Sequence, residues 1–267
     1  FVGKPVDVDE LVLRTLNYAR IAAYEEYLTD INVILESKIS EATGELSEAL
    51  ALATAAETEI AYRMGRTAEF RDLETGFHIR RMSRYSAVLA ELHGLPRVEC
   101  DLILNAAPLH DIGKVGIPDK ILLKPGRLTA AEYETMKLHA TIGEEMLDDC
   151  EGFPLLEAGR IIAAQHHEKY DGGGYPRGLA GDDIHIYGRI VAVADVFDAL
   201  SSRRVYKDAM PIERVAKLMK DEKGKHFDPV LVDLLLDNLD RFLAIRAEYP
   251  DDEDKTPSIL ELIGEKI

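Results

Sequence analysis

Between Leu28 and Ile60 apolar or small side chains recur in a regular rhythm: Leu28, Ile31, Leu35, Ile39, Ala42, Leu46, Ala49, Ala53, Ala56 and Ile60. The steps are threes and fours, with one extra four-residue step near Ile39. That is a heptad seam carrying a single stutter. No proline interrupts the chain between Pro5 and Pro96, and the stretch is rich in Ala, Glu, Leu and Ile, mostly good helix formers. Asp7 with Glu10, just after Pro5, resembles a capping box. The pattern predicts one long N-terminal helix. A helix of that length needs a partner along its face, and its apolar stripe is narrow. Both point to a coiled coil, and through it to a homodimer. The other reading is an amphipathic helix packed on its own domain. Gly44 and the many alanines make the seam a weak one, which suits a helix that transmits a signal.

The rest of the chain also reads as helices, over roughly 67–93, 98–109, 129–149, 154–168, 189–203, 211–220 and 229–246. Pro and Gly gather between them, in PDKILLKPG, DGGGYPRG and HFDP. IVAVADVF is built from strand-forming residue types. As a helix, however, it puts Asp195 and Asp198 on one face at i and i+3, so helix is predicted there. No Gly-rich phosphate loop and no βαβ alternation is evident, which disfavours a Rossmann or P-loop fold. The predicted class is all-α.

Composition narrows the function classes. The 267 residues, 46% of them hydrophobic, suffice for a sizeable core and one or two domains. A formal net charge of −17 disfavours a nucleic-acid polymer as partner, because a phosphate backbone asks for clustered Lys and Arg. A small phosphate ligand stays compatible where bound metals reverse the local potential. Cys100 and Cys150 are the only cysteines, so neither a disulfide framework nor a Cys-based zinc site is indicated, and a reducing cytoplasm is the expected location. No apolar run approaches the roughly 18 residues of a membrane span, and no signal peptide is evident, so no membrane is expected as partner. The chain opens with FVGKPVDVDE and no initiator Met, as a piece of a longer protein would.

The candidate chemistry lies in the histidines. Five of the eight sit in suggestive contexts. ETGFH places Glu74 and His78 at i and i+4 on one helical face. LHDIGK gives adjacent His110 and Asp111, KLHATIG gives His139, HHE gives His166 and His167, and VADVFD gives Asp195 and Asp198. Each alone has an ordinary explanation as a helix pair, a helix end or a satisfied core residue. A carboxylate inside IVAVADVF is harder to account for, because burying it without a cation or strong donors costs several kcal/mol. Together, one Glu, five histidines and two aspartates on separate helices suit a multinuclear site for hard-to-borderline divalent metals.

A His, a consecutive His-Asp and a distal Asp on helices resemble the HD superfamily of metal-dependent phosphohydrolases. His139, the doublet His166–His167 and DGGGYP resemble its HD-GYP subfamily. LHDIGKVGIPDKIL, KPGRL, MKLHATIG, HHEKYDGGGYPRGL, GRIVAVADVFDAL and GKHFDP follow in that family's order, over about residues 67 to 246. The resemblance implies an HD-type helical bundle that cleaves the second messenger cyclic di-GMP to pGpG, and on to GMP if a third metal supports a second cut. It implies Glu74, His78, His110, Asp111, His139, His166, His167 and Asp195 as metal ligands. Members with a Glu four residues before the first His resemble trinuclear sites, so Glu74 favours three ions, with two as the alternative. Fe or Mn is favoured, and Ni, Co and Zn suit the same donors. Lys114, Tyr175, Asp198, Arg204 and Lys207 match substrate-binding positions, with Asp111 and Lys114 expected to act in catalysis by holding a metal-activated water and the phosphate.

This sequence departs from the family in two places: His185 stands where Pro is common, and SSRRVYK (201–207) stands where TSDRPYK is common. No expected ligand is lost. At the other end, FVGKPVDVDELVLRTL resembles the last strand and helix of a response-regulator receiver domain. The expected organisation is therefore a receiver remnant over 1–20, a coiled-coil signalling helix over 21–66, the HD-GYP domain over 67–250 and a tail over 251–267. Two readings compete with cyclic di-GMP hydrolysis: a cyclic di-GMP receptor with little turnover, whose GYP loop docks a partner such as a diguanylate cyclase domain, and a phosphodiesterase for cyclic GMP-AMP.

Overall fold

The computed structural model describes residues 7–71, 77–203 and 209–250. Among them there are ten α-helices, and the only β-pairings are two isolated bridges, Asp171 with Ala180 and Lys223 with Phe227. The all-α expectation holds, including over IVAVADVF. No helix among the described residues is long and apolar enough to cross a membrane.

Helix α1 runs unbroken from Val8 to Arg71. Asp7 Oδ1 accepts from the backbone N–H groups of Asp9 and Glu10 at 3.0 and 3.3 Å. Glu10 bonds forward to Arg14 at 2.6 Å, so the half of the capping box seen here is the Asp7 half. The strand expected before it falls on residues 1–6, outside the described residues. Two compact units divide the chain within α1, one ending at Glu57 and the other beginning at Thr58. In the first unit Leu28, Leu35, Ile39 and Leu46 of the heptad seam are each at least half exposed, and Ile31 is partly covered.

In the second unit the buried face of α1 turns to small residues, Ala61, Gly65 and Ala68. Small side chains let the helix approach the domain's backbone closely. A Cβ added at Gly65 would lie 2.2 Å from the carbonyl oxygen of Pro108, so only glycine fits there. At its last residue, Arg71 donates to the carbonyl oxygens of Lys114, Val115 and Ile117 and pairs with Asp119 at 2.6 Å.

The domain core is formed by α2 (Phe77–His93), α3 (Arg97–Ala106), α6 (Pro154–Gln165) and α7 (Ile186–Ser201). Helix α7 is apolar over most of its circumference, burying Ile190, Val191, Val193, Ala194 and Phe197. Phe197 packs edge-on against Tyr85 and Phe242 at 5.2 and 5.8 Å between ring centres. Truncating an aromatic ring in such a core costs about 3–5 kcal/mol. Helices α8 (Ile212–Asp221), α9 (Pro229–Asp237) and α10 (Leu239–Glu248) close one side. The single helix expected over 229–246 is two, broken at Asn238.

A short helix α4 (Asp119–Leu122) and α5 (Ala130–Met146) enclose a small second core of Ile117, Ile121 and Leu122. Helix α5 starts in a complete capping box: Thr129 Oγ1 accepts from Glu132 N at 3.3 Å, and Thr129 N donates to Glu132 Oε2 at 2.8 Å. That box fixes the register of the helix that carries His139. At α7 the unusual His185 is the N-cap: its Nδ1 accepts from Tyr187 N at 3.2 Å, and its own N–H donates to Gln165 at 2.7 Å. A proline at this position would lack that N–H.

Candidate metal centre

Five short stretches converge on one buried site. His110 ends a 3₁₀ turn over Ala107–Leu109, and Asp111 precedes a second one over Ile112–Gly116. The side chains of His139 from α5, His166 and His167 from the end of α6, His78 from α2 and Asp195 from α7 meet them. Two groups of donor atoms result: Asp111, His139, His166 and His167 in one, His78, His110 and Asp195 in the other, each within 4.8 Å of its fellows.

Asp111 stands between the groups. Its Oδ1 lies 3.3 Å from His139 Nε2 and 3.7 Å from His166 Nε2. Its Oδ2 lies 3.1 Å from His110 Nε2 and 2.9 Å from Lys114 Nζ. One carboxylate thus presents an oxygen to each side, as a bridging ligand does.

The histidines are held by their other nitrogens. Nδ1 of His110 faces the Ala107 carbonyl at 3.1 Å, and that of His139 faces Met136 at 2.7 Å. Nδ1 of His166 faces Ile162 at 3.0 Å, and that of His78 faces Asp198 at 2.8 Å. A carbonyl or carboxylate at Nδ1 requires the proton there, which leaves Nε2 with its lone pair pointing inward. Among the described residues, Nε2 of His110, His139 and His166 and Oδ1 of Asp111 are buried without a hydrogen-bond partner. Several acceptors converging in a dry site repel one another unless cations lie among them. Donor atoms about 2 Å from a shared ion lie roughly 3–4 Å apart, the range found here. The residues present therefore fit divalent metals.

His166 and His167 both reach the site because α6 stops at Gln165, so the doublet lies in its C-terminal turn rather than on a regular helical face. The next residues fold back over them. Glu168 is buried and accepts from the N–H groups of Arg177 and Leu179 at 2.7 and 3.1 Å. Of the three successive glycines only Gly172 has a positive φ, +82°, whereas Gly174 is required by crowding, since a Cβ there would sit 2.2 Å from Lys169 N. Tyr175 lies stacked over His167, 4.7 Å between ring centres. Lys137 Nζ is 5.7 Å from the rings of both Tyr175 and Tyr133.

The comparisons with known proteins fit this geometry. The family described as HD domain matches residues 47–231. The chain belongs to the HD domain family. A Vibrio cholerae protein named 3′3′-cGAMP-specific phosphodiesterase 2 is 50% identical over 193 residues, covering 72% of this chain and 37% of that one. The cyclic di-GMP phosphodiesterase response regulator RpfG of Xanthomonas campestris is 41% identical over 236 residues, covering 88% of this chain and 60% of that one. The chain thus spans between about a third and two thirds of the length of these curated relatives. A solved cyclic GMP-AMP-specific phosphodiesterase of V. cholerae superposes with a TM-score of 0.51 at 18% identity, covering 69% of this chain and 50% of that one, a likeness of fold.

Within this HD domain the electrostatics follow from burial and from Asp111. Burial alone raises a carboxylate's pKa, but Lys114 and His110 outweigh it and hold Asp111 well below the usual range. Burial lowers His110 too, yet the Asp111 charge raises it above an ordinary histidine. Burial dominates at His166, pushed down to about 3, and at His167, which His166 and His139 depress further. These two stay neutral at physiological pH, the state a metal ligand needs. Burial raises the Tyr175 hydroxyl, which keeps its proton as a donor.

Seven of the eight expected ligands are brought together; Glu74, like Arg204 and Lys207, lies outside the described residues. Asp198 is the correction. Expected to touch substrate, it is 1% exposed, with Oδ1 bound to Arg81 Nε at 2.6 Å and Oδ2 to His78 Nδ1. It stands behind a ligand, facing away from open solvent, because the helical face shared with Asp195 points it at α2.

Three residues escaped the sequence reading. Arg81 is three positions beyond His78, a spacing that puts both on one face of α2. Glu168 follows the doublet directly. Glu69 is one turn beyond Gly65, on the small-residue face of α1 that marks burial.

Proposed function

We propose that this chain is the HD-GYP part of a metal-dependent phosphodiesterase that hydrolyses cyclic di-GMP to pGpG, and on to GMP where a third ion is held. The observation that carries the reading is the double-faced Asp111, set between two groups of inward-pointing His and carboxylate donors. Two or three divalent ions are proposed, Fe or Mn favoured. When bound, they supply an acidified water for attack on phosphorus and neutralise charge on the phosphate oxygens.

The chain's own residues do the rest. Asp111 stays ionised and holds both sides of the centre together. Lys114, 2.9 Å from Asp111, offers an ammonium to a phosphate oxygen beside it, in a site where a fixed charge acts strongly. Tyr175 covers His167 and presents a ring and a hydroxyl donor to the nucleotide. Arg204 and Lys207 are proposed to clamp the second phosphate. A receptor with little turnover would be expected to have lost ligands, and the seven described ones are filled.

The V. cholerae relative at 50% identity favours a second reading, in which 3′3′-cGAMP is the preferred substrate. The name of the X. campestris relative supports a response regulator, the exposed heptad seam supports a homodimer through α1, and the exposed residues Asp171, Pro176 and Arg177 support a loop that docks a cyclase domain. The free cysteines, both buried thiols, support a cytoplasmic setting. The test is to incubate metal-loaded protein with each cyclic dinucleotide and resolve pGpG, GMP and the mixed linear product by chromatography. Asp111→Asn and chelated protein should be inactive; full activity in either would overturn the proposal.

A further inference from the structure

Helix α2 carries polar side chains on two faces. His78 and Arg81 are buried in the domain. Arg80, Ser83 and Arg84, at i, i+3 and i+4, line a cavity on another face. The cavity measures about 280 Å³ and lies wholly within the second unit, between α1 at Tyr62, α2, and α3 at Asn105. That volume is close to the lower end for small-molecule sites, about 300–1,000 Å³.

Its polar wall is made of donors. Arg80 Nε donates to the Tyr62 hydroxyl at 2.9 Å, and the Arg84 guanidinium lies 4.9 Å from the Tyr249 ring centre. Among the described residues Arg80 forms no ion pair, and Arg84 only approaches Glu248, at 4.0 Å. Glu59, the carboxylate on the wall, is taken by Arg63 at 2.6 Å. Ser83 is 5% exposed, and its hydroxyl has no hydrogen-bond partner. Buried hydroxyls normally find one. Like charges one helical turn apart also repel. In a chain of net charge −17, carboxylates are plentiful, yet these two cations face a cavity instead.

We propose that this cavity binds a small oxyanion, a phosphate monoester or a carboxylate, gripped by Arg80 and Arg84 with the Ser83 hydroxyl as a further donor. Guanidinium forks match the oxygens of either group. Leu104 and Pro108 supply an apolar wall for the body that carries the anion. Nothing in this grip needs a metal, so it stands whether or not the phosphodiesterase reading holds. Pro108 also sets the site against the place where Gly65 of α1 meets the turn leading to His110. An occupant touching Tyr62 and Arg80 therefore ties α1 to α2 beside that turn.

The test is calorimetric titration of the full chain in chelator, with inorganic phosphate, GMP and succinate as probes. Wild type should bind at least one of them saturably, with Kd below about 1 mM. The tighter of GMP and succinate tells a phosphate ester from a carboxylate. Arg80→Gln and Arg84→Gln should each weaken binding about tenfold or more, as loss of a hydrogen bond to a charged group does. The bound probe should raise the Tm of wild type more than that of either variant. Ser83→Ala should weaken binding too, yet leave the Tm of ligand-free protein unchanged, because its hydroxyl has no protein partner to lose. Should an arginine variant fail to fold, Ser83→Ala decides alone. No saturable binding of any probe below about 1 mM, or binding that these substitutions leave unchanged, would overturn the proposal.

Discussion

Oδ2 of Asp198 lies 2.8 Å from Nδ1 of His78. Its other oxygen is bound to the buried guanidinium of Arg81 at 2.6 Å. The carboxylate therefore fixes the His78 tautomer, aims Nε2 at the metal centre and neutralises Arg81. Asp198→Asn should weaken metal binding at the His78 side by about 10–100-fold. It also leaves a buried cation short of its partner, at a stability cost of about 3–5 kcal/mol. Metal titration and denaturant unfolding measure the two effects, and an unchanged metal affinity would refute the positioning role.

The same pair gives a pH dependence. Burial raises the Asp198 pKa, but the hydrogen bonds from His78 and Arg81 overcome it and hold it at about 2. In the unfolded chain the value is about 3.9. A depressed folded pKa contributes stability that is fully present above the unfolded value and is lost as pH falls through the folded one. Metal-free wild type should therefore lose stability between about pH 4 and pH 2. Asp198→Asn, already less stable at neutral pH, should show a shallower loss across that window when unfolding is followed by circular dichroism.

Glu168 holds the loop just beyond Tyr175, through the N–H groups of Arg177 and Leu179. Gln in its place keeps one acceptor oxygen but loses the charge that strengthens the bonds from the part-buried N–H groups of Arg177 and Leu179, each such charge-assisted bond being worth about 1.5–3 kcal/mol. Glu168→Gln should raise KM about tenfold or more, since loss of roughly 1.4 kcal/mol of positioning corresponds to tenfold. Metal content should be unchanged. A parallel loss of metal would show that the loop and the ligands are one unit.

The heptad seam makes a separate prediction. A single helix with no packed face is marginal in water, and Leu28, Leu35 and Leu46 are all exposed. Replacing Leu28 and Leu35 with Asn should convert a dimer to a monomer in light scattering. Wild type that is already monomeric at micromolar concentration would refute the coiled coil.

Much of the site was legible because its donors are chemically distinctive. Histidines beside carboxylates in an acidic, cysteine-poor chain have few other purposes, and helical spacing placed Asp195 correctly within an apolar run. The fold class followed from long apolar periodicities. What stayed hidden were residues defined by direction rather than type. Asp198 looks like a substrate contact in the sequence, because i and i+3 says that two side chains share a face but not which of them faces a neighbouring helix. Glu69 looks like one of many acidic residues on a solvated helix, because its burial depends on Ala61, Gly65 and Ala68 meeting another backbone. His185 looks like a departure, and only the geometry of α7 shows that it caps a helix.

The grip of Arg71 on the carbonyl groups of residues 114, 115 and 117 bears on how the domain can be cut. Trimming the protein at the first histidine would discard the arginine that closes the turn carrying Lys114, the glycine seated on Pro108 and the buried Glu69. The smallest fragment able to stand alone has to begin before Ala61, and anything shorter is a domain with one wall missing.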